Sequence, residues 1–265
     1  MTQVYRHPDE YDLEHLGDEE DIGFYLGLVR HLRPKRILEL GCGTGRITLP
    51  LAKQGNDYGC RVVGLESQPE MLESAHEHRR RAGSRVQECL DLVEGDMRNW
   101  TADEKFDLII APSSSVSHLH DLEDQIKTWR QARANLCAGG RYVVEVTMPN
   151  LAVFADSFSR PPRELVEIDI DNFDEATGIR LIRRKTTSYL SHQQRAQIRF
   201  LYEKYGEDRL VDSYLDDFAS HIFFPRELEL LFIHTGFQLD NTVGDYQGRP
   251  LSAHSPLVIM TGRRD

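Results

Sequence analysis

Four stretches of the chain repeat apolar residues at helical spacing, over residues 22–32, 47–53, 69–81 and 122–136. Short apolar runs lie around them at 36–40, 61–66, 90–94, 106–111 and 142–146, each of a length that suits a buried strand. Pro69 stands near the first turn of its helix, where a missing N–H costs little, and Gly139 and Gly140 stop the fourth. Strands that alternate with helices predict a parallel sheet with helices on both faces. After about residue 150 the period drops to two, over residues 165–171, 179–190, 195–205 and, more weakly, 210–223. Turn-forming residues at 174–178 and 191–194 separate these runs, so an antiparallel meander is expected. The first pattern then resumes with a helix over 225–235, stopped by Gly236, and a last strand within 255–262. The organisation is therefore a core with an N-terminal lid helix over residues 1–150, an antiparallel insertion over 151–223, and completion of the core sheet over 224–265. The apolar faces of the insertion are narrow, which predicts a cover over the site rather than a separately folding domain.

Composition narrows the classes. A chain of 265 residues with 40% hydrophobic and 28% charged residues can bury a core without disulfides or metal. The net charge of −11 repels phosphate backbones, so no nucleic-acid partner is expected. No apolar run approaches the roughly 20 residues of a membrane span, and the N-terminus lacks a secretory pattern, so no membrane partner is expected either. Cys42, Cys60, Cys89 and Cys137 form no CxxC pair and read as free thiols in a reducing cytoplasm. A homodimer is compatible with all of this.

Candidate chemistry starts at ELGCGTGR, residues 39–46, between a predicted strand and a predicted helix. Glycines let backbone approach a ligand closely, and the following helix offers unpaired N–H groups. A dinucleotide loop has its third glycine one position later, where this chain has Arg46. The glycines stand instead at Gly41, Gly43 and Gly45, with the acid Glu39 ahead of them. A carboxylate there opposes a pyrophosphate and suits a ligand with an ammonium group. Glu66 ends the next strand, where open sheets place ligand contacts, and can accept from both hydroxyls of a ribose. Asp96 can accept from an adenine amino group, and Met97 can pack on its ring; alone, Asp96 reads equally as a turn residue.

Together ILELGCGTGR (37–46), VVGLE (62–66), EGDM (94–97), FDLII (106–110) and GGRYVVE (139–145) resemble the class I S-adenosylmethionine-dependent methyltransferases. The resemblance covers roughly residues 20–150 and the final helix and strands. It implies a Rossmann-like, seven-stranded, mostly parallel sheet whose last strand is antiparallel, with S-adenosyl-L-methionine as cofactor. The cofactor set it implies is Tyr11, Glu39, Gly41, Cys42, Gly43, Gly45, Arg46, Glu66, Ser67, Met71, Asp96, Met97 and Ala111.

The fourth strand is followed by APSSSVSHLH (111–120), not by the D/N-P-P-Y motif of enzymes that methylate nucleic-acid bases. The segment is similar to that of small-molecule N-methyltransferases acting on nucleotide-linked amino sugars, in which His120 falls at a substrate-side histidine. That likeness implies a small-molecule acceptor, methylated at nitrogen; oxygen or carbon acceptors, or a regulatory protein that only holds the cofactor, are the alternatives. An amine must lose a proton before it attacks, so His118 and His120 are the catalytic candidates. Tyr5, Ser113, Ser114, Ser117, Tyr202, His221 and Tyr246 are the acceptor-side candidates. No metal is expected, because the His118/His120 pair has no third ligand placed beside it.

Overall fold

The computed structural model describes residues 4–159 and 165–265, which divide into two compact units. The larger holds Glu19–Met148 and Phe223–Asp265; the smaller holds the described residues of Met1–Asp18 and Pro149–Ile222. In chain order the elements are α1 (Pro8–Glu14), α2 (Glu20–Leu32), β1 (Arg36–Leu40), α3 (Thr48–Gly55), β2 (Arg61–Glu66), α4 (Pro69–Arg81), α5 (Ser84–Cys89), β3 (Leu90–Glu94), β4 (Phe106–Ala111), α6 (Leu122–Asn135) and β5 (Leu136–Thr147). They continue with α7 (Leu151–Ser157), β6 (Glu167–Asp174), β7 (Ile179–Leu190), β8 (Arg195–Gly206), β9 (Arg209–His221), α8 (Pro225–His234), β10 (Gln238–Val243) and β11 (Leu257–Arg263).

The larger unit is a seven-stranded sheet in the order β10-β11-β5-β4-β1-β2-β3. The five strands from β1 to β5 are parallel to one another, and β11 runs antiparallel to β5. Alternate residues of each central strand feed two apolar clusters. Leu38, Leu40, Ile109, Ala111, Tyr142 and Val144 pack with α6 and α8 around Trp129 and Phe232. Ile37, Val62, Leu108, Ile110 and Val143 pack with α2 and α3 around Tyr25, Val29 and Leu51. Burial on both faces explains why these strands read as continuous apolar runs rather than as alternation. β10 is the exception. It is an edge strand with four exposed residues at its start, so its sequence carries no apolar signal.

The smaller unit holds an antiparallel sheet in the order β6-β7-β8-β9, which fits the period-two runs closely. Its apolar cluster is small: Leu181, Phe200 and Tyr202, flanked by Leu13, Ile198, Tyr214 and Phe218. The short helix α1 belongs to this unit. It docks through two buried acids. Glu10 accepts from Lys204 Nζ at 2.5 Å and from the Tyr214 hydroxyl, and Glu14 accepts from Arg183 Nη1 at 2.5 Å. Arg183 also donates to Asp169 and lies 4.2 Å over the Phe200 ring.

Candidate active site

The glycine loop leaves β1 at the sheet's carboxyl edge. Gly41 and Cys42 both donate backbone N–H to Leu65 O, at 2.8 and 3.0 Å, which turns the loop over the end of β2. Gly41 has φ of 74°, and a Cβ there would meet the Ser115 side chain at 3.1 Å. Gly45 has φ of 86°, and a Cβ would meet Leu49 at 2.8 Å. Only glycine suits both positions without strain.

Beside the loop, a cleft of about 520 Å³ is lined by Gly41, Leu65, Ser67, Gly95, Asp96, Met97, Arg98, His118 and Leu119. These residues follow β1, β2, β3 and β4, so the cleft lies at the carboxyl ends where the sheet order switches. It gathers Gly41, Ser67, Asp96, Met97 and His118 of the expected set.

The acids around it are held mainly by neutral donors. Glu66, 8% exposed, accepts the backbone N–H of Gly43 at 2.9 Å and those of Ser67 and Gln68 at 2.8 Å each. Three donors on a carboxylate with about four lone-pair positions leave about one for a ligand. The sequence reading, in which Glu66 takes both ribose hydroxyls, is therefore narrower in the folded chain: one hydroxyl fits without releasing a backbone amide. Glu39, 2% exposed, accepts from Thr48 Oγ1 at 2.5 Å, and burial pushes its carboxyl up to about 8. Arg46 does not bond it. Its guanidinium forms a bidentate pair with Asp21 of α2, tying the loop to that helix.

Asp96 accepts from its near neighbour Arg98 through Nε, Nη2 and the backbone N–H, and these bonds hold its carboxyl below the ordinary range. Cys42 is buried with its sulfur in the space a Gly64 side chain would need, and burial raises its thiol well above the usual value. Met71 is buried in the first turn of α4, and Ala111 closes β4 with no exposure.

The segment after β4 is pinned to β5. Ser113 and Ser114 both have positive φ, and the Ser114 hydroxyl oxygen accepts Thr147 N–H at 3.0 Å. A 3₁₀ turn, Ser115–His118, follows, with Ser117 buried inside it. His118 opens onto the cleft. The protein mass around it, with His120 beside it, holds its imidazole below the ordinary range, so it is neutral at pH 7. His120 is half-buried two residues on. On β5, the buried Glu145 accepts from the hydroxyls of Tyr25 at 2.8 Å and Tyr246 at 2.7 Å.

The remaining candidates lie in the smaller unit. Tyr5 stacks edge-on with Tyr11 at 6.3 Å, and Tyr11 sits inside α1. Tyr202 is 2% exposed and stacks on Tyr214 at 4.8 Å, so it is a core residue there rather than part of an open sheet face. His221 is buried at the end of β9. The sequence reading gave no role to Asp21, Tyr25, Thr48, Arg98, Asp124 or Glu145. Asp21 and Tyr25 stand four apart on one helix, a spacing that puts them on one face; the others carried no local signal.

Residues 37–140 match the family described as a methyltransferase domain. This stretch is a methyltransferase domain. The chain is 26% identical over 252 residues to a dTDP-3-amino-3,6-dideoxy-alpha-D-glucopyranose N,N-dimethyltransferase of Streptomyces fradiae, covering 93% of this chain and 89% of the relative. A relative from Streptomyces venezuelae, a dTDP-3-amino-3,4,6-trideoxy-alpha-D-glucopyranose N,N-dimethyltransferase, is 26% identical over 257 residues. That match covers 94% of this chain and 98% of the relative. Four other curated relatives, including a tRNA1(Val) (adenine(37)-N6)-methyltransferase of Actinobacillus pleuropneumoniae, are spanned over only 24 to 45% of their own length. The fold is that of the crystal structure of Streptomyces venezuelae DesVI, with TM-score 0.75, 22% identity and 98% of each chain covered. The methyltransferase fold expected from the motifs is thus the fold found, down to the antiparallel last strand. Among the described residues no helix is long and apolar enough to cross a membrane.

Proposed function

We propose that the protein transfers the methyl group of S-adenosyl-L-methionine to nitrogen of a small-molecule acceptor, an amine of the amino-sugar kind. The near-full-length similarity to two sugar N,N-dimethyltransferases carries this reading. The net charge of −11 and the absence of a D/N-P-P-Y sequence at residues 111–114 favour a small acceptor over a nucleic acid. Four free cysteines suit a reducing cytoplasm.

The cleft residues fit the cofactor. Gly41 and Met97 make an uncharged wall, Glu66 offers one acceptor for a hydroxyl, and Asp96 faces the same cleft as an ionised acceptor for an amino group. Glu39, buried beside the loop with its carboxyl pushed up to about 8, complements a ligand ammonium once the ammonium's charge draws its proton off. The bound cofactor supplies an activated methyl group on a sulfonium. Its leaving group is neutral, so the protein's task is placement rather than stabilisation of an anion. An alkylammonium acceptor, with a pKa of about 10, must first lose a proton. His118, held neutral, keeps a nitrogen free of that proton and suits positioning; His120 is the candidate for proton acceptance.

Calorimetric titration with S-adenosylmethionine and with NAD tests the cofactor, and only the first is expected to bind. Incubation with dTDP-linked 3-amino sugars, followed by mass spectrometry and S-adenosylhomocysteine detection, tests transfer. Binding without turnover on any amine points to a regulatory role, and a methylated hydroxyl to the oxygen alternative. With an accepted amine, His120→Asn lowers kcat by about 10² if His120 takes the proton, and raises KM alone if it only positions the acceptor.

A further inference from the structure

Arg98 has no part in the expected set, yet it lines the cleft beside Asp96 and Met97. Its guanidinium bridges two carboxylates. Nε reaches Asp96 Oδ1 and Oδ2 at 2.9 Å each, and Nη2 reaches Asp96 Oδ2 at 2.5 Å. Nη1 reaches Asp124 Oδ2, on α6, at 2.8 Å. The backbone N–H of Arg98 donates to Asp96 Oδ1 at 2.9 Å. Those are four hydrogen bonds from three N–H groups, two on each oxygen, and the Nε–H, shared between both, holds neither oxygen fully.

A planar fork gripping both oxygens fixes the rotation of the carboxyl group, which a single point charge cannot do. Asp124 in turn fixes the fork. The guanidinium also keeps Asp96 ionised, so it can accept a hydrogen bond but not donate one. We propose that Arg98, anchored by Asp124, is a positioning residue that fixes the carboxyl plane of Asp96 at the cleft, where a ligand amino group takes over one half of the shared Nε–H bond, and thereby sets the preference for a base with an exocyclic amino group. The inference rests on the cofactor reading above and concerns one edge of that ligand.

The test compares two probes by calorimetry: S-adenosylhomocysteine, and its analogue with unsubstituted purine in place of adenine. The parent chain is expected to prefer the adenine ligand by at least tenfold. Arg98→Met should weaken S-adenosylhomocysteine at least fivefold while leaving the analogue within twofold, so that the preference collapses. Asp124→Asn should reduce the preference in the same direction, by less. Arg98→Lys, which keeps the charge and loses the fork, is expected to resemble Arg98→Met and serves in its place if the methionine variant does not fold. A preference retained in these Arg98 variants, or an equal loss for both probes, overturns the inference while leaving the cofactor reading intact. A parent chain that binds neither probe overturns both.

Discussion

The glycine-loop acids Glu39 and Glu66 and the acids that hold α1 to its sheet are bonded by different means. In the smaller unit Glu10, Glu14 and Asp169 meet cations: Lys204, Arg183 and Lys185 bond them directly. In the methyltransferase domain Glu39 and Glu66 meet a threonine hydroxyl and three backbone amides, and Arg46 is committed to Asp21 instead. The electrostatics follow the partner for Asp169 but not for Glu14, whose carboxyl burial pushes up despite Arg183. Burial is the largest influence on Asp169 and pushes its carboxyl up, yet Lys185 and Arg183 outweigh it and hold the group below the ordinary range. Glu39 is bonded by no cation; burial outweighs the Thr48 bond and the pull of Arg46 and pushes it up to about 8. Acids paired with cations are cross-links that hold α1 to its sheet. Buried without a bonded cation, Glu39 holds a proton in the ligand-free chain at neutral pH, and a cationic ligand beside it would favour its ionised form.

The largest effect expected from this contrast is in the smaller unit. Arg183→Met leaves the buried Glu14 without its cation, while Asp169 keeps Lys185, a loss of about 3–5 kcal/mol of stability. Urea unfolding followed by circular dichroism measures it, and a loss below about 1 kcal/mol would show that the cross-link reading is wrong. Next comes Glu66→Ala. Removing an ionised acceptor costs about 1.5–3 kcal/mol for one ligand hydroxyl, so S-adenosylhomocysteine affinity should fall at least tenfold. Unchanged affinity in calorimetry would leave Glu66 as a clasp on the glycine loop and nothing more.

A smaller, pH-dependent effect concerns Glu39. Between about pH 4.5 and 8 the folded chain holds a proton that the unfolded chain has lost, so this group's contribution to stability falls as pH rises through that window. Unfolding curves at pH 5, 6.5 and 8, values chosen to span roughly that window, should show a steeper decline for the parent than for Glu39→Gln. Parallel declines would mean that Glu39 is ionised and paired after all. The smallest effect is chemical. The buried Cys42 thiol should resist alkylation in the folded chain at pH 8, and labelling of Cys42 under native conditions would contradict its placement against Gly64.

Much of the fold was legible along the chain. The central parallel strands announced themselves as short apolar runs because both faces are buried, and β8 as alternation because one face meets solvent. β10 was silent because an edge strand needs little apolar surface, and α1 because a helix of 7 residues that docks through Glu10 and Glu14 looks polar. The site was legible in part. Gly41, Ser67, Asp96, Met97 and His118 do converge on one cleft, because a strand-to-helix loop at the carboxyl edge leaves few other places for them.

By itself the sequence determined the methyltransferase sheet, its glycine loop and the acids near it, since these depend on local patterns that neighbours in the chain impose on one another. Tertiary structure alone decided what each acid is bonded to: Asp21 on Arg46, Asp124 on Arg98, Tyr25 and Tyr246 on Glu145. Those partners lie 25 to 120 positions apart in the chain. A hydrogen bond reads only distance and angle in space, and spacing along the chain carries neither until the backbone has folded.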